Sequence, residues 1–201
     1  MKSRILLFII LCTPLFLFSN TNPIVWELKK SSNGIEIYTR KIDGSNFKKY
    51  KVQSFINAPI NLILKKLISA AEYSENYDSG VSYFIREKPN GERVYYARQK
   101  MPWPLKDRDA VSTIKITRLS DSKIKITIKA TTRELPEKDN VIRIGQINGH
   151  WLLEDLGDTV KVVQQLHLDP KGNIPAILSN SLLTRGPYKA FSKLNERILD
   201  L

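Results

Sequence analysis

Residues 101–109, Met101-Pro102-Trp103-Pro104-Leu105-Lys106-Asp107-Arg108-Asp109, are the segment that says most about the fold. Two prolines enclose a tryptophan between two strand-like stretches, and an arginine and an aspartate follow. Proline stiffens such a loop, and the tryptophan ring is costly to expose unless it packs or meets a membrane interface. Trp103 therefore either plugs the end of a sheet or belongs to a gate at a membrane. Arg108 and Asp109 would tie the loop down by capping backbone groups.

Alternating apolar and polar residues on both sides of this loop predict a mainly antiparallel sheet. Hairpin turns are indicated at Asn33-Gly34, Asn90-Gly91, Asp121-Ser122 and Gly157-Asp158, where glycine or a short polar residue suits a tight turn. The predicted strands are 24–30, 35–42, 48–57, 81–88, 92–101, 109–119, 123–132, 141–156 and 159–169.

Two helices are predicted, one short and one long. Residues 60–68 follow Pro59 with an apolar stripe at helical spacing, and the final 27 residues show a similar stripe. Gly186-Pro187 should kink the long helix, because proline removes a hydrogen bond and crowds the preceding turn. The fold class is α+β, with the long helix laid across the concave face of the sheet.

The last hairpin allows its register to be predicted. A two-residue turn at Gly157-Asp158 pairs Trp151 with Gln164 and places both on the inner face. The same register places His150 and His167, the two histidines of the chain, on the outer face.

Strand alternation predicts an inner face that is strongly apolar with a few polar residues. It could be a dry core in which Ser112 and Gln164 bond to neighbouring backbone. Alternatively, it lines a hydrophobic cavity in which Tyr95, Ser112 and Gln164 contact a ligand's head group. The candidate cavity residues are Tyr95, Ser112, Ile114, Ile126, Trp151, Gln164 and Leu166.

Several motifs, in order along residues 24–200, resemble the START (steroidogenic acute regulatory protein-related lipid transfer) family, especially its phosphatidylcholine-transfer-like branch. The resemblance is carried by Trp26, Gly34-Ile35, Tyr38, Tyr95-Tyr96, Pro102-Trp103-Pro104, Arg108-Asp109, Gly149-His150-Trp151, Asp169-Pro170-Lys171-Gly172-Asn173-Ile174-Pro175 and Asn180.

The resemblance implies a helix-grip fold with an internal hydrophobic tunnel that holds one lipid. It also implies a gate formed by the loop before Arg108 and by the last helix, so the candidate gate residues are Trp103, Arg108, Asp109 and Pro187. Sterol-binding relatives carry an arginine six residues after the loop arginine. Because Ile114 occupies that position here, a sterol held through that arginine is not expected.

Catalytic signals are weak in this sequence. The single cysteine lies near the N-terminus, both histidines face outward, and the acids lack metal-ligand spacing. No glycine-rich phosphate loop is present. We therefore expect a lipid-binding or lipid-transfer protein that is not an enzyme and needs no metal or cofactor. The alternatives are a helix-grip enzyme of the cyclase or dehydratase type and a sensor that binds its ligand without transferring it.

The N-terminus predicts export. Lys2 and Arg4 precede an apolar run at 5–18, which is shorter than the roughly 18 to 20 residues that span a bilayer. Residues 1–19 are therefore interpreted as a cleaved signal peptide, with an uncleaved anchor as the alternative. The START-like domain then covers 24–201, and the protein is secreted or periplasmic.

The chain is basic, with a formal net charge of +12, or +10 once Lys2 and Arg4 are removed with the signal. The lysines are scattered over strand positions, which favours a solvated outer sheet face with weak attraction to anionic membranes. A secretory signal argues against nucleic acid as a partner. We expect a monomer whose partners are a lipid or similar hydrophobic molecule and, transiently, a membrane surface.

Overall fold

A computed structural model of the 201-residue chain describes residues 25–69, 80–172, 174 and 176–199, without the side chains of 176–182. The predicted signal peptide at 1–19 lies outside these residues.

One curved sheet dominates the described chain. Its strands follow the order β1-β2-β3-β10-β9-β7-β6-β5-β4, and all these neighbours are antiparallel. The short strand β8 lies parallel to the beginning of β6. The strands are β1 Glu27–Ser32, β2 Ile35–Ile42, β3 Ser45–Ile56, β4 Gly80–Glu87, β5 Arg93–Gln99, β6 Asp107–Ser120, β7 Lys123–Ala130, β8 Val141–Arg143, β9 Gln146–Asp155 and β10 Val160–Asp169.

The prediction of one strand over 141–156 is wrong, because the chain changes partner in the middle of this stretch. The pairing of β7 with β6 ends at Ser112. Strand β8 then pairs with the same edge of β6, at residues 107–109. The Ile144 N–H still donates to the Asp109 carbonyl at 2.8 Å. After Gly145 the chain joins β7 as β9.

The predicted register of the last hairpin is confirmed. Trp151 lies opposite Gln164, Gly149 lies opposite Leu166, and His150 faces Gln165. Only glycine fits at position 149, since a Cβ there would lie 2.7 Å from the Gln165 carbonyl oxygen and would also overlap the Leu166 side chain.

Both predicted helices are present. Helix α1 covers Ile60–Ile68 directly after Pro59, and helix α2 covers Ala176–Leu199 and continues through Pro187. The buried side chains of both helices join the apolar inner face of the sheet in one core, and the α+β prediction is confirmed. The helix residues in this core include Ile60, Ile63 and Leu67 from α1 and Phe191, Leu194 and Ile198 from α2.

The outer face of the sheet carries His150 in a basic environment. Burial lowers the pKa of this histidine, and the positive charges of Lys125 and Lys49 lower it further. Its neutral form is therefore favoured in the folded chain.

We expect a pH dependence of stability from this site. Below about pH 6.5, the ordinary pKa of histidine, the unfolded chain binds a proton that folded His150 resists. Stability from this site is therefore complete above that pH and decreases as the pH falls through it. His150→Gln should reduce the drop in melting temperature between about pH 8 and pH 5.5 in a thermal scan. An identical drop in the parent chain and the variant would contradict this assignment.

Candidate functional site

A cavity of about 640 Å³ lies between the sheet and α2. Its wall is mostly apolar and is built from strands β3–β7, β9 and β10, the segment after β10 and the middle of α2. The described lining residues are Tyr50, 80–82, 97–99, Met101, 108–110, Ile128, Ile144, Ile147, Trp151, Gln164, Leu166, Leu168, Pro170, Ile174, 185–187, Lys189 and Ala190.

Three of the predicted cavity residues lie in this wall. Trp151 is 6% exposed and stacks on Phe191, with ring centroids 5.2 Å apart and planes inclined by 19°. The Gln164 Oε1 accepts a hydrogen bond of 3.2 Å from the hydroxyl of Tyr50. Leu166 lies beside Tyr50 in the pairing of β10 with β3. Contact of these side chains with a ligand stays a prediction.

The other four predicted cavity residues are not among the described lining residues, and their contact with a ligand stays a prediction. Ile114 and Ile126 are buried in the core to which α1 contributes. Tyr95 belongs to the same core, and its hydroxyl donates to the Ile68 carbonyl at 2.8 Å. Ser112 is half-buried on the same face of the sheet. Strand alternation identifies which side chains point inward. It does not indicate which of them are covered by α1 and the end of α2 and which line the cavity.

Tyr50 is a wall residue that the sequence reasoning did not select. It occupies the inward face of its strand, so alternation indicates burial. Its contact with Gln164 depends on the pairing of β3 with β10, which joins residues 114 positions apart. Arg185 and Lys189 on α2 were missed as well, because no sequence signal fixes which face of a helix meets a cavity mouth.

Arg108 is 4% exposed and holds two segments of backbone together. Its guanidinium donates to the carbonyl of Lys106 at 2.5 Å, immediately before β6. It also donates to the carbonyls of Pro170 and Lys171 at 3.3 and 3.2 Å, between β10 and α2. Burial lowers the pKa of Arg108. The loop after β5 and the segment that leads into α2 are thus joined through one side chain.

Asp109 points to the opposite face of β6 and forms a buried ion pair. Its two carboxylate oxygens accept from Arg143 at 2.7 and 3.0 Å, and both side chains are 1% exposed. The carboxylate raises the pKa of Arg143. Arg143 also donates to the carbonyls of Leu135 and Pro136, each at 3.0 Å. This pair therefore fastens β8 and the loop before it to β6.

Trp103 does not plug the sheet, because its side chain is 93% exposed. The loop around it is nevertheless anchored. The Leu105 N–H donates to the Pro102 carbonyl at 3.0 Å, and the Asp107 carboxylate accepts from Arg98 and from the Met101 N–H. The hydrogen bond from Arg98 lowers the pKa of Asp107. A tethered loop therefore presents a free indole ring to the solvent beside the cavity.

The described part of the chain lacks two kinds of feature. No group of histidine, cysteine, aspartate or glutamate side chains there could hold a metal ion. No helix within those residues is long and apolar enough to span a membrane.

The START domain model matches residues 22–199 of this sequence. The chain belongs to the START domain family. This membership agrees with the helix-grip arrangement of sheet and α2, and START domains are generally lipid-binding and lipid-transfer proteins rather than enzymes. Pro187 of α2 and Arg108 both lie in the wall of this START domain's cavity.

Two curated relatives are similar to this chain over most of its length. An uncharacterized protein of Pseudomonas aeruginosa is 28% identical over 171 residues, which are 84% of each chain. The phosphatidylcholine transfer protein of Rattus norvegicus is 28% identical over 160 residues, which are 77% of this chain and 75% of the relative.

Solved structures share the START fold. A fragment of the STAR-related lipid transfer protein from Xanthomonas axonopodis superposes with a TM-score of 0.78 at 26% identity, and the match covers 86% of this chain and 98% of the fragment. The human StAR-related lipid transfer protein 5 has a TM-score of 0.75 at 15% identity, with 87% of this chain and 86% of that one covered.

Proposed function

We propose that this protein binds a lipid in the cavity between the sheet and α2 and carries it between membranes without catalysing a reaction. The observation that supports this most directly is the mostly apolar cavity of about 640 Å³. Its volume falls within the roughly 300 to 1,000 Å³ of typical ligand sites. Membership of the START family supports the same conclusion.

The physical need for such a carrier follows from the hydrophobic effect. Each buried methylene contributes about 0.8 kcal/mol, so a lipid with about 30 methylenes faces on the order of 20 kcal/mol against crossing water alone. An apolar cavity surrounds those chains in place of the membrane, so they do not contact water. The free-energy barrier to transfer is therefore lower. Because the bilayer buries the same chains, net binding can stay weak enough for release.

Membrane contact is proposed for the cavity mouth. Trp103 is almost fully exposed, and Val81, which lines the cavity, is 53% exposed. Tryptophan favours the membrane interface, where its ring is buried and its N–H stays hydrated. Lys106, on the same loop, could gain about 1 kcal/mol near an anionic surface. The proposed gate consists of this loop and of α2 around Pro187.

The proposal extends to the location of the protein. Residues 1–19 would direct export and be removed, so the carrier would act as a monomer in the periplasm or outside the cell. The positive segment and the short apolar run support this part of the proposal.

We expect Trp103→Ala to slow lipid transfer between vesicles several-fold while melting temperature and bound lipid stay unchanged. The reason is that the indole contacts no core that its removal could disrupt. The measurement is the transfer rate of a fluorescent phospholipid from donor to acceptor vesicles. Leu119→Ala is the matched control. Leu119 is also an exposed apolar residue, at 53%, but it lies at the end of β6, whereas the loop with Trp103 precedes the beginning of that strand.

Two results would contradict the proposed membrane contact or the proposed transfer. A transfer rate in Trp103→Ala equal to that of the parent chain would remove the loop from the membrane contact. Bound lipid that never leaves the parent protein for acceptor vesicles would favour the sensor over the carrier.

A further inference from the structure

The charged side chains that face the cavity carry one sign. Along β5 and β6, Gln99 and Arg108 are paired and share the inner face, because side chains alternate along each strand. Arg98 and Asp109 point to the other face, where Arg98 meets Asp107 and Asp109 meets Arg143. Asp109 is the sole acid among the described lining residues, so no described carboxylate faces the cavity.

Arg108 is a buried cation with no carboxylate partner among the described residues. Its hydrogen bonds go to three backbone carbonyls, which neutralise no charge. A buried charge is costly unless it is both paired with an opposite charge and hydrogen-bonded, and Arg108 has only the hydrogen bonds. A negative group in the adjoining cavity would supply the missing counter-charge.

Two more cations reach the cavity from the opposite side. Arg185 and Lys189 both line it, and they lie one helical turn apart on α2, so their side chains are neighbours on the helix surface. A group held between β6 and α2 would therefore meet positive charge from both walls.

A neutral polar side chain in the same cavity wall, Gln164, also offers donors to a ligand. The Gln164 side-chain oxygen accepts from the Tyr50 hydroxyl, and its amide nitrogen carries two N–H donors. Guanidinium and ammonium groups also donate only. Oxygen-rich anions such as phosphate or carboxylate match a set of donors of this kind.

We propose that the ligand is an amphiphile whose head group carries net negative charge. The phosphate or carboxylate lies between Arg108 and the pair Arg185 and Lys189, and the hydrocarbon chain lies along the apolar wall at Ile128 and Leu166. This inference rests on the proposed function and names the class of lipid that the cavity selects.

The experiment compares amphiphiles with the same twelve-carbon chain. Dodecyl phosphate, dodecylphosphocholine and inorganic phosphate are titrated into the delipidated protein by calorimetry, below the critical micelle concentrations. We expect dodecyl phosphate to bind at least tenfold more tightly than dodecylphosphocholine and far more tightly than inorganic phosphate. Raising the salt concentration should reduce this preference, because the side chains of Arg185 and Lys189 are partly exposed to solvent.

Two double variants test which side chains cause the preference for dodecyl phosphate. Arg185→Gln with Lys189→Gln should bring dodecyl phosphate and dodecylphosphocholine to within about threefold of each other. Lys65→Gln with Lys66→Gln removes the same charge from α1, away from the cavity wall, and should leave the preference intact. Circular dichroism checks that both variants fold.

The outcomes separate this inference from the proposed function. Equal affinity for both amphiphiles in the parent protein, or a preference that survives the Arg185 and Lys189 changes, would overturn the anionic head group and leave lipid binding intact. Inorganic phosphate that binds as tightly as dodecyl phosphate would identify a site for free anions. Failure of both amphiphiles to bind would count against the proposed function itself.

Discussion

Arg143→Met is expected to lower the free energy of unfolding by about 3–5 kcal/mol. The substitution leaves the Asp109 carboxylate, which is 1% exposed, without its bidentate partner inside the protein. It also removes the donors to the Leu135 and Pro136 carbonyls, so the loop before β8 loses its attachment to β6. Chemical denaturation monitored by circular dichroism measures the change.

Two controls test whether the uncompensated charge is the cause. Arg98→Gln breaks the more exposed pair with Asp107 and should cost less than about 1 kcal/mol. Adding Asp109→Leu to Arg143→Met removes the orphaned charge, so the double variant should recover much of the lost stability. A single Arg143 variant as stable as the parent chain would contradict the role assigned to this pair.

Trp151→Ala should be the second strongly destabilising change, at about 3–5 kcal/mol. The ring is buried between sheet and helix and stacks on Phe191, so its removal takes a large apolar contact from the interface that holds α2. The same ring lines the cavity, and the variant should also retain less lipid. Denaturation and quantification of bound lipid are measured on the same preparation.

Trp26→Ala is the matched control for this change. Trp26 precedes β1, is only partly buried and lies near Lys51 and Arg40. We expect a smaller loss of stability and unchanged lipid retention. Trp151→Ala protein that is as stable and as fully loaded as the parent chain would show that this residue supports neither the core nor the cavity.

Local rules in the sequence were enough to predict much of the fold. The tight turn at Gly157-Asp158 determines the register of β9 and β10, which is why Trp151 was paired with Gln164 correctly. Pro59 and the apolar stripe after it located α1. In each case the partners are neighbours in sequence or follow one periodic pattern, so tertiary contacts were not needed to place them.

The errors arose where distant segments meet. The predicted strand 141–156 is interrupted because the chain changes its partner from β6 to β7. Arg143 in β8 binds Asp109, which lies 34 residues earlier, and nothing near Arg143 in the sequence indicates this partner. Tyr95 faces inward, and its contact with a ligand stays a prediction. Its hydroxyl reaches the end of α1, a contact that alternation along β5 does not predict.

The candidate site shows the same division. Trp151 and Gln164 were found through strand periodicity, whereas Arg185 and Lys189 depend on how α2 lies against the sheet. Trp103 was recognised as unusual from its two flanking prolines. Its exposure excludes the plug, and this exposure could be determined only from the folded chain.

Native mass spectrometry of the purified protein tests the central claim most directly. The chain is stripped of lipid, incubated with vesicles of phosphatidylcholine and phosphatidylglycerol, separated from them and weighed, and the bound molecule is then identified after extraction. The account predicts one lipid per chain, with less retained by Trp151→Ala. A folded parent protein that stays at the mass of the bare chain after this exposure would contradict it.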